Sequence, residues 1–547
     1  MKHDPFRTDL GRNVFRTKYA QGPEDTWDNL ARRVVDDVCG SLQGTSHAIL
    51  SQSERDFLVH CIATMKFIPG GRYLYYAGRQ FHAWNNCYLL RAEEDTREEW
   101  AALVQRATAC LMTGGGIGID YSILRPSGRT LRRTGGISSG PIPLMKMINE
   151  VGRNVMQGGS RRSAIYASLN WQHPDIEEFL IAKNWADMPI GKSGYSLHDA
   201  KFDDFNWPAP LDQTNISVNY DDEWLNQKDR HLDPIFVQNV RQALTTGEPG
   251  FSFNFGDKQY ETLRNACCEV TSEDDSDVCN LGSINIGALE DLDEFRDIVR
   301  VASKFLVCGT IRADLPYKKV YEVRERNRRL GLGLMGIHEF LLRRGSGYEV
   351  TPELHKWLKG YRDESVEAAN EHCDRLYLSR PVAYRAIAPT GTIALLPGTT
   401  SGIEPLYAAA YKRRYLTGGS DWMAEYVQDP IAIALERDTG IDPSGVQTAL
   451  RVAATPEVRI KFQAAVQAYV DQAISSTINL PSAGSLDEAS FAKTLSKYAP
   501  QLRGFTAYPD GARGGQPIEE VDWDEAKKMK GVVIKESEAC KGGVCGI

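Results

Sequence analysis

The sequence has no apolar run near the length of about 18 residues that a membrane span requires, and its mean hydropathy is −0.38. Residues 1–9 contain no apolar core of the kind that marks a secretory leader. No block of one charge sign occurs either: 64 Lys and Arg stand against 72 Asp and Glu, a formal net charge of −8 spread along the chain. That excludes a basic nucleic-acid footprint as the main business of the whole chain. Neither nucleic acid nor membrane is an expected partner, and the expected compartment is the cytoplasm, or a host cytoplasm for a viral chain. Internal repeats and low-complexity segments are absent, and the 10 histidines nowhere take up ligand spacing, so no metal site is expected.

What is present is the composition of a globular enzyme, 42% apolar and 25% charged over 547 residues. A chain of that length buries a large core without disulfide or metal staples. It accommodates about three domains or one elaborated catalytic domain. The 11 cysteines then need another explanation, because a reducing compartment keeps thiols free for packing, ligation or redox work. Cys39, Cys61, Cys110, Cys308 and Cys373 fall in apolar helical patterns and read as small core residues. Cys87, Cys267, Cys268, Cys279, Cys540 and Cys545 lie among Asn, Glu, Gly and Asp, where turns and sites are built.

Residues 1–65 read as a helical region. Trp27, Leu30, Val34, Val35 and Val38 repeat at helical spacing and stop at Gly40, and a second helix after Ser53 carries Phe57, Leu58, Cys61 and Ile62. Thr96 and Glu99 form an expected capping box, opening a helix that ends at the glycines 114–116. Pro174 is expected at a first helical position. Strand-like runs at 165–169, 214–220, 251–255 and 281–286 alternate with helices, which predicts an α/β architecture with crossovers. One long amphipathic helix is expected over 453–477, and the polar, Gly-rich stretch 527–547 reads as a mobile tail. The core catalytic unit is therefore expected over 66–526.

Three motifs fail on inspection. Gly191-Lys192-Ser193 ends like a phosphate-binding loop, but Ala186 stands where its first glycine belongs. The glycines of 114–118 end a helix rather than open one, and Ile119 replaces the third glycine of a dinucleotide fingerprint. His338-Glu339 lacks the second histidine of a zinc protease, since Leu342 holds that place.

The pentapeptide Asn265-Ala266-Cys267-Cys268-Glu269 carries the chemistry. Asn265, Cys267 and Glu269 are spaced by two, which on an extended arm turns an amide, a thiol and a carboxylate to one side. Cys279 follows in Cys279-Asn280-Leu281-Gly282-Ser283-Ile284-Asn285.

These two segments together resemble the active-site finger loop of ribonucleotide reductases. Asn85-Asn86-Cys87-Tyr88-Leu89 resembles the strand with the first redox cysteine, 113–122 the glycine loop beside the substrate, 157–163 the loop relaying effector identity, and 388–405 the substrate phosphate cradle. The resemblance runs over roughly 65–515 with the motifs in order. It implies a ten-stranded α/β barrel with a central finger loop. It further implies that Cys267 is a thiyl-radical site, that Glu269 is the general base for the ribose 3′-OH, and that Asn265 holds the ribose. Cys87 and Cys279 become the pair oxidised to a disulfide; Cys268 has no part. Asn86, Gly116, Pro389, Thr390, Gly391, Thr392 and Ile393 fall on substrate-binding positions, and Arg125, Arg132 and Arg161 on effector positions. The hydroxyls and N–H groups of 389–392 suit phosphate where a helix begins. Cys540 and Cys545 resemble the tail pair that exchanges thiols with the inner disulfide and is itself reduced by a thioredoxin-like protein.

Members differ in the radical source. One class has a separate metal-containing radical subunit and tandem relay tyrosines; here Tyr508 is single and followed by Pro509, and the tandem Tyr75-Tyr76 lies in another segment. No glycyl-radical motif is found. Tyr508-Pro509-Asp510-Gly511-Ala512-Arg513 resembles the adenosylcobalamin-dependent class, which makes adenosylcobalamin the expected cofactor. The metal-subunit class, with Tyr508 as relay, is the alternative, and a non-catalytic nucleotide sensor of the same fold the second alternative. Cys87 comes too early for an N-terminal regulatory cone, and a homodimer with a deoxynucleotide effector at its interface is expected.

Overall fold

The computed structural model describes residues 5–40, 49–131, 135–155, 163–191, 194–204, 206–417, 421–510 and 518–535. Its strands are β1 (Phe67–Pro69), β2 (Cys87–Arg91), β3 (Gly116–Asp120), β4 (Ile165–Asn170), β5 (Thr214–Tyr220), β6 (Gly250–Phe253), β7 (Leu263–Arg264), β8 (Thr271–Ser272), β9 (Asp277–Asn285), β10 (Leu330–Met335), β11 (Ala410–Thr417), β12 (Asp421–Gln428), β13 (Thr477–Leu480), β14 (Gly504–Pro509), β15 (Ile518–Glu520) and β16 (Val533–Lys535). Ten of these form one sheet in the order β1-β9-β2-β3-β4-β5-β6-β14-β13, with β10 on the other side of β9. β2 to β6 run parallel to one another, and helices cover their outer face, as crossover connections require. Polar residues alternate with apolar ones along β5, yet all of it but Asn215 is buried; β10 is buried at every position.

The two ends of the sheet meet through an extended segment with no strand pattern of its own. Leu332 pairs with Arg385, and Ile387 pairs with Ile474 just before β13. Leu332 N donates to Tyr384 O at 3.0 Å, Ala386 N to Leu332 O at 3.0 Å, and Ser475 N to Ile387 O at 2.8 Å. The segment thus bonds to β10 on one side and to the chain leading into β13 on the other, and the sheet closes into a barrel.

The N-terminal region is helical: Asp9–Val14, a π-helical turn Phe15–Tyr19, Trp27–Cys39 and Gln52–Ala63. Trp27 buries its apolar ring and donates Nε1 to Ile62 O at 2.8 Å, tying the last two helices together. A separate four-stranded sheet, β15-β11-β12-β16, lies beside the barrel, over a small core that includes Leu406, Ile431, Leu435 and Trp523.

Several local expectations need correction. The helix expected over 453–477 is only Pro456–Gln467. Its apolar spacing continues, but Asp471 accepts from the N–H groups of Tyr384 and Arg385, at 2.7 and 2.9 Å, and draws the chain into the barrel closure. Thr96 caps its helix by accepting from Glu99 N; the reciprocal half of the box is missing, because Glu99 instead binds Glu93 N and Arg106. The second helix starts earlier than expected, with a full capping box between Ser51 and Glu54. Pro174 precedes the helix Ile176–Leu180, whose N-cap is Asp175. The tail boundary at 527 cuts the helix Trp523–Lys528, and β16 beyond it pairs with β12. The segment 527–535 is therefore not all tail.

Candidate active site

β7 and β8 form a short hairpin inside the barrel, with Leu263 opposite Ser272 and Arg264 opposite Thr271. Its tip is a tight turn in which Cys268 N donates to Asn265 O at 2.9 Å and Cys268 adopts φ +68°. Asn265, Cys267 and Glu269 converge because of that turn, not because of the strand pleat that their spacing suggested. Ala473 N donates to Glu269 O at 2.9 Å and Asn215 Nδ2 to Ala266 O at 3.1 Å, so the tip is held from opposite walls.

The base of the hairpin is anchored by Arg264, which is fully buried. Its Nη2 donates to Asn254 Oδ1 at 2.7 Å and Arg503 O at 2.9 Å, and its Nη1 to Glu261 O at 3.1 Å. The carbonyl of Arg264 presses on β3: a Cβ on Gly118 would stand 1.6 Å from it. Gly118 is therefore glycine because the hairpin passes where a side chain would be.

Cys87 on β2 and Cys279 on β9 are direct cross-strand partners. Opposite residues of an antiparallel pair lie about 4.5–5.5 Å apart at Cα, within disulfide span. Asn265 Nδ2 donates to Cys87 Sγ at 3.0 Å, Asn265 Oδ1 accepts from Val270 N at 2.9 Å, and Cys87 Sγ lies 4.0 Å from Glu269 Oε1. Glu269 Oε2 and Asn86 Oδ1 are buried without a hydrogen-bond partner. Such orphaned acceptors are rare unless a ligand or water meets them.

Burial pushes the Glu269 carboxyl up to about 7. Burial and then Glu269 raise the Cys87 thiol well above its ordinary value, and burial does the same for Cys279, with Asp277 and Glu269 adding to it against the pull of Arg329. The Cys267 thiol, open to the cavity, is raised by the protein packed around it and by Glu269. These sulfurs are therefore held as thiols at neutral pH. Cys268 is pushed up to about 12 by burial, against the pull of Arg264.

A cavity of about 270 Å³ is lined by Asn86, Cys87, Gly116, Asn265, Cys267, Glu269 and the run Pro389 to Ile393. Cys267 is exposed at the tip, whereas Cys87 and Cys279 are buried. The cradle differs from expectation: residues 391–398 form successive turns rather than an α-helix. Thr390, at φ +53°, accepts from Gly402 N through its hydroxyl at 2.9 Å. The expected helix terminus is thus replaced by a run of turns, in which Ala394 N donates to Thr390 O at 2.9 Å. Tyr19, Gly70, Gly71 and Arg72 also line the cavity. Sequence reasoning missed them; the turn signal Pro69-Gly70-Gly71 was the available clue, and Tyr19 carried none.

Arg125 does not stand open toward a ligand: its Nε donates to Asp95 Oδ2 at 2.5 Å and its Nη2 to Asp95 O at 2.5 Å. Arg132, Arg161, Cys540 and Cys545 lie outside the described residues, as does most of 157–163. Tyr508 sits on β14 opposite Asn479, remote in sequence from Tyr75 and Tyr76, whose rings meet edge to face at 4.9 Å.

The chain matches the family described as ribonucleotide reductase, barrel domain, over residues 85–197, 231–356 and 380–499, more than half its length. It is 28% identical to a vitamin B12-dependent ribonucleoside-diphosphate reductase of Mycobacterium tuberculosis, across 84% of this chain and 72% of that protein. A vitamin B12-dependent ribonucleoside-diphosphate reductase of Thermoplasma acidophilum is 26% identical across 84% of this chain and 65% of its own. A ribonucleoside-diphosphate reductase subunit alpha of Chlamydia muridarum is 26% identical over 63% of this chain and 35% of its own.

Proposed function

This chain belongs to the ribonucleotide reductase family, and we propose that it reduces ribonucleotides to 2′-deoxyribonucleotides by a thiyl-radical mechanism with adenosylcobalamin as cofactor. The observation that carries the reading is the meeting of Cys267, Glu269, Asn265 and Cys87 in one cavity, with Cys279 paired behind Cys87. Retention of all five favours an enzyme over a non-catalytic nucleotide sensor.

Two observations fit the cofactor. Cys267 is exposed while its hairpin neighbours Ala266 and Glu269 are buried, which leaves its sulfur an open approach. Tyr508 is followed by Pro509, so no tandem pair on β14 offers a relay to a second subunit. When bound, adenosylcobalamin supplies an organic radical strong enough to take the hydrogen atom of a thiol.

The chain's own residues then act on the ribose. Cys267, as a thiyl, takes the 3′ hydrogen. Glu269 accepts the 3′-OH proton, and a carboxyl near 7 is matched to that task at neutral pH. The second N–H of the Asn265 amide holds the ribose hydroxyl in register. The 2′-OH leaves as water with a proton from the Cys87–Cys279 pair. That pair gives two electrons and becomes a disulfide, its second hydrogen passing to C2′; Glu269 returns its proton to the 3′ oxygen, and the 3′ hydrogen returns from Cys267 to C3′. The turn run 389–393 receives the phosphates through hydroxyls and N–H groups.

Cys540 and Cys545 are proposed to reduce the inner disulfide and pass the electrons to a thioredoxin-like reductant. A deoxynucleotide effector in a homodimer, with Arg125, Arg132 and Arg161 near it, rests on motif likeness alone. The test is substitution in the finger loop. Cys267→Ala should abolish reduction and leave nucleotide binding in place, while Cys268→Ala keeps activity. The reverse pattern would refute the assigned register.

A further inference from the structure

We propose that Arg72 determines specificity in the catalytic cavity: it faces an anionic nucleotide with the cavity's positive charge, and it clamps the glycine turn that carries Gly116. This rests on the nucleotide-substrate reading above.

Arg72 follows Gly70 and Gly71 on the short helix Gly71–Tyr76 and is 8% exposed. Its Nε donates to Ala83 O at 2.8 Å, its Nη1 donates to Gly114 O, and its Nη2 donates to Thr113 O. The Tyr76 ring lies against the guanidinium, 5.2 Å from ring centroid to Cζ. The three acceptors belong to two segments: the lead into β2 and the turn into β3. One planar fork thus fixes both, which a lysine point charge could not do.

Gly114 is shaped by this contact. It adopts φ +84°, and a Cβ there would stand 2.8 Å from Arg72 Nη1. Two residues on, Gly116 N donates to Asn86 O at 2.9 Å. The clamp therefore sets Gly116, Asn86 and, through β2, Cys87, all of which line the cavity.

Charge gives the second part. Among the described lining residues, Arg72 and Glu269 are the charged types, and only Arg72 is a cation. Pro389 to Ile393 offer only neutral donors. A nucleotide polyphosphate brings several negative charges into a space where water screens poorly, and a guanidinium stays protonated there. Arg72 accordingly separates nucleotides from unphosphorylated nucleosides.

The experiment uses the full chain and three variants. Nucleoside diphosphate, nucleoside triphosphate and the unphosphorylated nucleoside are titrated calorimetrically, with KM, kcat and melting temperature measured alongside. Arg72→Gln keeps amide donors without charge; it should weaken nucleotide binding about tenfold or more and leave nucleoside binding unchanged. Arg72→Lys keeps charge without the fork; it should hold more nucleotide affinity than Arg72→Gln but lose kcat. Gly114→Ala leaves the cation and displaces the turn; it should lower kcat with nucleotide affinity near that of the parent. Parental nucleotide affinity in Arg72→Gln, or equal loss of nucleotide and nucleoside, overturns the charge role. A Gly114→Ala enzyme indistinguishable from the parent overturns the clamp. Should Arg72→Gln fail to fold, an Arg72→Lys enzyme with parental kcat and KM also overturns the proposal. A parent that binds no nucleotide would instead refute the function proposed above.

Discussion

Glu269 is buried beside three thiols, with one carboxylate oxygen unpartnered and its pKa pushed up to about 7 by burial. Its ordinary value is 4.5, so between 4.5 and about 7 the folded protein holds a proton that the unfolded chain has released. Stability contributed by this group therefore falls as pH rises through that window and is flat above it. Glu269→Gln removes the dependence: relative to the parent, the variant's melting temperature should rise between pH 5 and pH 8. Turnover should show the opposite need. kcat/KM of the parent should climb through pH 7 as Glu269 ionises, and Glu269→Gln should lose at least about a hundredfold in rate, the lower range for a lost general base. A variant of near-parental rate would remove Glu269 from the chemistry. This residue was legible because amide, thiol and carboxylate cluster within five positions. Tyr19 and Arg72 were not legible, since each acts through a fold contact with sequence-distant segments: Arg72 with Thr113 and Gly114, Tyr19 with Gly71.

The finger hairpin is the element on which the site depends, and its fit against β3 has almost no tolerance. Gly118→Ala would set a Cβ 1.6 Å from the Arg264 carbonyl, and either the hairpin or β3 must move. Overpacking of this kind costs about 1–3 kcal/mol or more. The expected outcome is a folded protein with a lowered melting temperature and little or no reduction, because Cys267 is displaced from Cys87. Parental activity in Gly118→Ala would mean that the hairpin does not lie against β3. Strands such as β5 were readable as β-rich stretches, with Ile216, Val218 and Tyr220 alternating with polar residues, and Trp27–Cys39 from its helical spacing and the glycine stop. The closure through 383–388 was not, because it uses isolated bridges and backbone bonds that leave no periodicity in Val382-Ala383-Tyr384-Arg385-Ala386. The overlong helix expected after Ala453 is the same failure from the other side: apolar spacing persisted where Asp471 and Gln472 had other partners, Gln472 Nε2 donating to Leu330 O at 2.7 Å.

For the whole molecule, the proposed reaction leaves the buried Cys87 and Cys279 as a disulfide that has to be re-reduced from outside after each turnover. If the tail pair does this, Cys540→Ser with Cys545→Ser should lose multiple turnover with thioredoxin, keep a single turnover when pre-reduced, and retain some rate with dithiothreitol. Cys87→Ser or Cys279→Ser should fail in all three conditions. Equal loss of the first turnover in the tail variant would contradict the tail's role. The family and the barrel were legible because five motifs fall in order along the chain; the roles expected of Arg125, Arg132, Arg161, Cys540 and Cys545 rest on likeness alone, and all of these but Arg125 lie outside the described residues.

The central claim is that this single chain reduces ribonucleotides with adenosylcobalamin, and the direct measurement is anaerobic turnover of each ribonucleotide by the purified chain with that cofactor and dithiothreitol. Deoxynucleotide should form without a second protein, and Tyr508→Phe should retain most of the rate. An inert chain that gains activity only with a metal-loaded second subunit would contradict the account and turn Tyr508 into a relay residue.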